Sequence, residues 1–183
     1  MKLIVKKISK KINNKIIFEN ISFEIEKGIL LIKGRNGSGK TTLLRVLAQF
    51  EKPSSGGIIY ENIKKSDISY LGHKIGLYLD LKVSENLEFF LTKRELVKTF
   101  DLEKFLEYRV KELSRGNLQK LGIIRALSKP SKLYLLDEPT TSLDEISKNI
   151  FFNIINTLSN EKIIIITSHE TMPFHHQLLS LDQ

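Results

Sequence analysis

The residues best suited to chemistry are Gly34-Arg35-Asn36-Gly37-Ser38-Gly39-Lys40-Thr41-Thr42, spaced as G-x-x-x-x-G-K-T. Gly34, Gly37 and Gly39 let the backbone curl so that successive N–H groups converge on one anion. Lys40 has the reach to neutralise the β- and γ-phosphates of a nucleotide, and the Thr41 hydroxyl is a Mg2+ ligand of the right kind. The plain alternative is a glycine turn that carries a lysine by chance. The flanks weigh against it. Gly28-Ile29-Leu30-Leu31-Ile32 reads as a buried strand and Leu43 to Ala48 as the start of a helix. A loop between strand and helix adds the helix dipole to the same anion site.

A phosphate loop needs a metal and a group that acts on water. Asp137 and Glu138 end the apolar run Leu133-Tyr134-Leu135-Leu136. The carboxyl end of a buried strand is where open α/β sheets bind ligands. There Asp137 can hold Mg2+ through water, which leaves Glu138 to orient or deprotonate the attacking water. Alone, the pair is as readily an ordinary solvated acidic turn. His169 follows a second apolar run, Ile163 to Ile166, and so points to the same edge. A lone histidine is more often structural; this one is placed to contact a γ-phosphate.

The elements that must position these groups follow from pattern. Strands are expected at 2–6, 21–26, 58–60, 68–71, 132–138, 163–166 and 177–180. Asn13-Asn14 marks a turn and Pro53 to Gly57 a loop. Gly72-His73-Lys74-Ile75-Gly76 breaks the pattern. A helical region then runs from Lys82 through Leu106 with Ser84 as its N-cap, its phenylalanines more readily core than ligand contacts. Ser114 is the expected N-cap of a helix ending at Ser128, before Pro130. A turn at 139–144 leads to a helix over 145–158.

Composition narrows the options. The 183 residues suit one domain with a sizeable core. There is no cysteine, hence no disulfide framework and no thiolate metal site. The first residues lack the apolar block of a secretory signal, and no apolar run is long enough to span a bilayer. The net charge of +8 fits nucleic acid or an anionic membrane surface. The lysines are scattered and no basic run is interleaved with aromatics, which makes nucleic acid the weaker of the two.

Taken together, these segments resemble the nucleotide-binding subunit of ATP-binding-cassette (ABC) transporters. The resemblance runs over essentially the whole chain. It rests on the phosphate loop, Gly72-His73 at the Q-loop, the signature Leu113-Ser114-Arg115-Gly116-Asn117, the Leu133 to Glu138 strand, the D-loop Ser142-Leu143-Asp144 and the His169 switch, in that order. The phosphate loop defines only a superfamily, whereas the signature about 20 residues ahead of an Asp-Glu strand is far more specific.

The resemblance implies an α/β P-loop NTPase of RecA-like type, with an antiparallel β edge and a helical insert. One domain would cover 1–183, with its core at about 1–75 and 112–183 and the insert at about 76–111. The resemblance also implies an ATPase using ATP and Mg2+. Lys40, Glu138 and His169 would be catalytic. Residues 34–42, including Arg35, Asn36, Ser38 and Thr42, would bind nucleotide together with Ser114 and Gly116. Thr41, Asp137 and His73 would serve the metal. Two copies would pair head to tail, Ser114 and Gly116 of one closing over the phosphate at Lys40 of the other.

Three positions depart from the family pattern. His73 stands where glutamine is usual, and a surface-loop histidine is the alternative there. The adenine-stacking aromatic expected some 25 residues before Lys40 is replaced by Ile12 or Asn13. The fifth signature position is Asn117 rather than glutamine.

The stretch Tyr70 to Leu77, with Glu85-Asn86-Leu87 after it, most resembles the haem-exporter subgroup of cytochrome c maturation. That implies an integral membrane partner and a peripheral place on the cytoplasmic face of the inner membrane, or the matrix face in a mitochondrion. A generic transporter ATPase is the first alternative. A soluble cassette ATPase acting on nucleic acid or ribosomes is another. A scaffold without turnover is disfavoured by intact Lys40, Asp137, Glu138 and His169.

Overall fold

The computed structural model describes residues 1–73, 75–169 and 171–181. Lys74 of the expected 72–76 break lies outside the described residues, as do the last two positions of the 1–183 range.

Two sheets form. Strands β1 (Lys2–Ile12), β2 (Lys15–Ile25) and β4 (Ser55–Glu61) make a three-stranded antiparallel sheet in the order β2-β1-β4. Asn13 and Asn14 close the β1–β2 hairpin with φ of 49° and 61°, a turn that asparagine tolerates. Strands β3 (Gly28–Lys33), β5 (Ile68–Leu71), β6 (Leu133–Asp137), β7 (Ile163–Thr167) and β8 (Gln177–Ser180) make a parallel sheet in the order β5-β6-β7-β3-β8. The antiparallel part is thus a sheet of its own.

Within the parallel sheet β3, β6 and β7 are buried on both faces, which is why these strands are apolar without alternation. The pleat divides them between two cores. Ile29, Leu31, Tyr134, Leu136, Ile164 and Ile166 face a core shared with α4 (Arg115–Ser128) and α5 (Glu145–Ser159). Leu30, Ile32, Leu133, Leu135, Ile163 and Ile165 face a core shared with α1 (Lys40–Leu47) and the antiparallel sheet. Strand register then aligns the carboxyl ends: Ile32 pairs with Thr167, and Thr167 with Asp137. The phosphate loop and the carboxylates therefore leave the sheet at one edge.

Pattern and structure part company in three places. The 2–6 and 21–26 strands run on as β1 and β2 through Lys10, Lys11 and Lys15, because antiparallel pairing carries them where the hydrophobic pattern fades. Part of the expected 53–57 loop belongs to β4. The 82–106 helical region is broken into α2 (Val83–Phe89), α3 (Arg94–Thr99) and a 3-10 turn at Glu103–Phe105. Leu91 and Asp101, with φ of 48° and 53°, interrupt it. Its N-cap is Lys82 rather than Ser84. The Lys82 amide donates to Glu85 Oε2 at 2.7 Å, and that three-residue reach fixes the start one residue ahead of Ser84.

Candidate functional site

At the end of β3 the chain turns through Gly34 to Gly39 and enters α1 at Lys40. Gly37 and Gly39 have φ of 83° and 96°, a region that favours glycine. A Cβ on Gly39 would also lie 2.8 Å from Ile17 Cγ2 of β2. The loop is therefore pressed against the hairpin and admits no side chain there.

Lys40 is buried, and its Nζ donates to the carbonyl oxygens of Gly34 at 2.6 Å and Arg35 at 3.3 Å. It stands 3.8 Å from Glu138 Oε1. Thr41 Oγ1 donates to Asp137 Oδ2 at 2.7 Å, and Thr167 Oγ1 donates to Asp137 Oδ1 at 2.7 Å, so both oxygens of the buried Asp137 are held. The Glu138 amide donates to Thr167 Oγ1 at 2.9 Å, and Glu138 itself has φ of 47°. This turn directs its side chain at the phosphate loop.

His169 Nε2 lies 3.1 Å from Asn36 Oδ1, 3.3 Å from Glu138 Oε1 and 3.4 Å from Lys40 Nζ. One ring nitrogen cannot donate to Asn36 and accept from Lys40 at once, so the tautomer selects between them. His73, mostly exposed, brings Nε2 to 3.7 Å from Asp137 Oδ2. It joins the carboxylate side of the site instead of facing open solvent alone.

Lys40, Thr41, His73, Asp137, Glu138 and His169 line one cavity of about 450 Å3, with Ile17, Arg35, Asn36, Gly37, Gly39, Thr42 and Thr141. Ser114 and Gly116 are not among its lining residues. Ser114 is the N-cap of α4, its Oγ accepting from the Asn117 amide at 3.3 Å, and it is exposed. Gly116 is held close to the turn after β6, where a Cβ would come within 2.9 Å of the Ser142 carbonyl oxygen. Gln119 Nε2 donates to the Pro139 carbonyl oxygen at 2.9 Å, and Lys120 lies 3.0 Å from Asp144. The signature helix and the turn beyond Glu138 are thus tied together.

Two buried oxygens in or beside the cavity, Ser38 Oγ and Glu138 Oε1, have no hydrogen-bond partner. Unsatisfied buried acceptors cost stability unless a ligand, ion or water serves them. Thr41 Oγ1 and Asp137 Oδ2 are hard oxygen donors of the kind Mg2+ takes alongside phosphate and water. The residues present fit MgATP. Thr167 was not legible as a site residue. The signal for it was the strand end it shares with His169.

The ABC transporter family pattern matches residues 18–141 of the chain. The chain belongs to the ABC transporter family. It is 36% identical over 176 residues to the cytochrome c biogenesis ATP-binding export protein CcmA of Wolbachia pipientis wMel, covering 87% of this chain and 85% of that one. It is 38% identical over 173 residues to the ABC transporter ATP-binding protein NatA of Bacillus subtilis (strain 168), covering 82% and 70%. Among solved structures, a putative ABC transporter ATP-binding protein from Pyrococcus furiosus matches at TM-score 0.84 and 28% identity, over 99% of this chain and 98% of that one. The dimeric ABC cassette MJ0796 matches at TM-score 0.84 and 23% identity, over 98% and 94%, a likeness of fold alone. This ABC chain is therefore the ATP-binding subunit of a transporter and an ATPase. Among its described residues, no helix is long and apolar enough to cross a membrane.

Proposed function

We propose that this ABC subunit hydrolyses ATP to drive a membrane complex of cytochrome c maturation, peripheral to the cytoplasmic face of the inner membrane or the matrix face in a mitochondrion. The observation that carries its turnover is Glu138 Oε1, buried without a hydrogen-bond partner, 3.3 Å from His169 Nε2 and 3.8 Å from Lys40 Nζ. Lys40 neutralises the β- and γ-phosphates, and the loop amides from Gly34 to Thr42 cradle them. Thr41 and Asp137, with His73 beside them, would hold Mg2+, which supplies charge neutralisation when bound. Glu138 accepts a proton from water as the water oxygen bonds to the γ-phosphorus. The bond from that phosphorus to the β–γ bridging oxygen breaks, and ADP leaves. His169 steadies the γ-phosphate.

Ser114 and Gly116 act in trans. In one chain they are outside the phosphate cavity, with Ser114 exposed at the positive end of α4, so a second copy arranged head to tail would bring that end to the γ-phosphate. A membrane subunit would dock beside His73, in a cavity of about 740 Å3 lined by Arg45, Lys65, Arg125 and Lys129 with Phe50, Tyr70 and Phe90.

The assignment to cytochrome c maturation is supported by CcmA relatives from Wolbachia and Rickettsia. A second reading, an ATPase for another transported substrate, is favoured by the 38% identity to NatA and 34% to a zinc import protein, ZnuC of Buchnera aphidicola. Complementation separates them. In a strain deleted for this gene, the parent gene should restore covalent haem attachment to c-type cytochromes and Lys40→Ala should not. Normal attachment in the deletion strain would leave the second reading.

A further inference from the structure

Gly122 lies in the middle of α4, where glycine costs stability relative to alanine. The space around it accounts for the residue. A Cβ there would lie 2.2 Å from Ile75 Cγ2, 3.4 Å from Ile75 Cβ and 3.2 Å from Leu71 Cδ1. Leu71 is the last residue of β5 and is fully buried, so it closes the far side of this notch. Ile75 is β-branched and stiff at χ1, so a methyl added at 122 would displace its backbone rather than one rotatable tip.

Ile75 stands two residues after His73. Among the described residues, none from His73 to Leu77 makes a backbone hydrogen bond, and Gly72 and Gly76 let the chain pivot on either side. Ile75 packs against the core that α4 shares with β3, β6 and β7. The same face of α4 holds β5: Ser69 Oγ donates to the Ala126 carbonyl oxygen at 2.7 Å, and Arg125 Nη2 to that of Tyr70 at 3.0 Å. Both ends of the His73 loop therefore meet at Gly122, Leu71 before it and Ile75 after it. His73 itself is mostly exposed, with Nε2 3.7 Å from Asp137 Oδ2. Its place depends on how the loop is anchored.

We propose that Gly122 is a positioning residue for the metal side of the site: its notch in α4 seats Ile75, and that seat holds His73 beside Asp137. This rests on the reading of His73 as a group that serves Mg2+. Filling the notch unseats Ile75 and lets His73 drift from the carboxylate, while the phosphate loop stays as it is.

The test uses the full chain and reads Mg2+ in two ways: ATP affinity by calorimetry with Mg2+ against EDTA, and the Mg2+ concentration that half-saturates hydrolysis. Gly122→Ala and Ile75→Ala should each weaken the response to Mg2+ by about tenfold in both readouts, with ATP affinity in EDTA unchanged. Gly122→Ala/Ile75→Ala should return to within about threefold of the parent, because two Cβ atoms 3.4 Å apart are in ordinary contact. His73→Ala should show the same loss, and adding Gly122→Ala to it should change nothing more. Melting temperatures establish that each variant is folded. Ile75→Ala opens space instead of filling it, and so carries the test if Gly122→Ala does not fold. An unaltered Mg2+ response in the folded single variants, beside a loss in His73→Ala, would overturn the seat and leave the role of His73 intact. Additive losses in His73→Ala/Gly122→Ala would overturn it as well. No loss in His73→Ala would remove that role and the proposal with it.

Discussion

Lys40 Nζ and Glu138 Oε1 face each other across the phosphate cavity at 3.8 Å, and neither is committed to the other. The lysine is spent on the carbonyl oxygens of Gly34 and Arg35, and the carboxylate oxygen accepts no hydrogen bond. Phosphate would draw Lys40 off the loop carbonyls, and water would serve Glu138. The two residues should therefore fail differently. Lys40→Ala is expected to abolish MgATP binding. Glu138→Gln should keep binding, lower turnover by about 100- to 10,000-fold and accumulate an ATP-bound dimer. Steady-state hydrolysis and gel filtration with ATP read both. Turnover at the parent rate in Glu138→Gln would remove Glu138 from the chemistry.

Thr167 holds the two carboxylate residues in place. Its hydroxyl donates to Asp137 Oδ1 and accepts from the Glu138 amide, inside a fully buried strand end. Thr167→Val keeps the shape and leaves a buried carboxylate oxygen without its donor, at a cost of about 1–3 kcal/mol. The urea midpoint should fall accordingly, and turnover should fall with it as Glu138 loses its anchor. Thr167→Ser should restore both. Equal urea midpoints for parent and Thr167→Val would refute the assignment.

The legibility of this chain followed the range of the forces involved. The phosphate loop and the Asp137-Glu138 pair were readable because they are local, with glycines, a cation and carboxylates fixed by position along the chain. Ser114 was readable as a cap for the same reason. Thr167 was not, because its role depends on which strand lies beside β6, and register across a parallel sheet leaves no mark in the local sequence. Lys82 displaced Ser84 as a cap because the Glu85 carboxylate reaches the Lys82 amide, an interaction that outweighs the capping preference of serine. The lysine-rich ends of β1 and β2 were hidden because partner strands, rather than hydrophobic pattern, hold them extended.

Asp144 couples this machinery to pH. It caps α5, its Oδ1 accepting from the Ser147 amide at 2.8 Å, and Lys120 of the signature helix lies 3.0 Å from its other oxygen. The Ser147 amide, the Ser147 hydroxyl and then Lys120 pull its pKa down to about 2. A carboxyl with a depressed folded-state pKa stabilises the fold above its ordinary value near 4, and that contribution disappears as pH falls through 2. Stability should therefore be flat with respect to this group above about pH 5 and decline between about pH 4 and 2. Because the side chain is largely solvated, the effect is modest. Asp144→Ala should cost about 1 kcal/mol at neutral pH through the lost cap and should flatten that acid decline. An unchanged acid limb in denaturant titrations of Asp144→Ala would show that the carboxylate contributes nothing there.

Arg125 lines the cavity in which a membrane subunit is proposed to dock. Its guanidinium stacks 5.6 Å over the Phe90 ring and donates from Nη2 to the Tyr70 carbonyl oxygen at 3.0 Å, yet its buried Nε has no partner. Burial lowers its pKa, with no carboxylate offsetting the desolvation. Arg45, beside it in the same cavity, is already paired with Glu51 at 2.7 Å. Lys129 donates to the Ile68 carbonyl oxygen at 2.6 Å. No carboxylate is among the described residues lining this cavity. A docking segment that carries an Asp or Glu would satisfy Arg125 Nε, and its apolar residues would cover Phe50 and Phe90. Truncating one partner of a buried charge pair typically costs about 2–5 kcal/mol. Arg125→Met and Lys129→Glu should therefore reduce recovery of the membrane subunit in detergent co-purification by at least about tenfold, and raised salt should weaken the parent complex more than the Lys129→Glu complex, because it screens an attraction in the first and a repulsion in the second. Circular dichroism and melting temperature establish that each variant is folded. Undiminished recovery with both folded variants would place the docking surface elsewhere on the subunit.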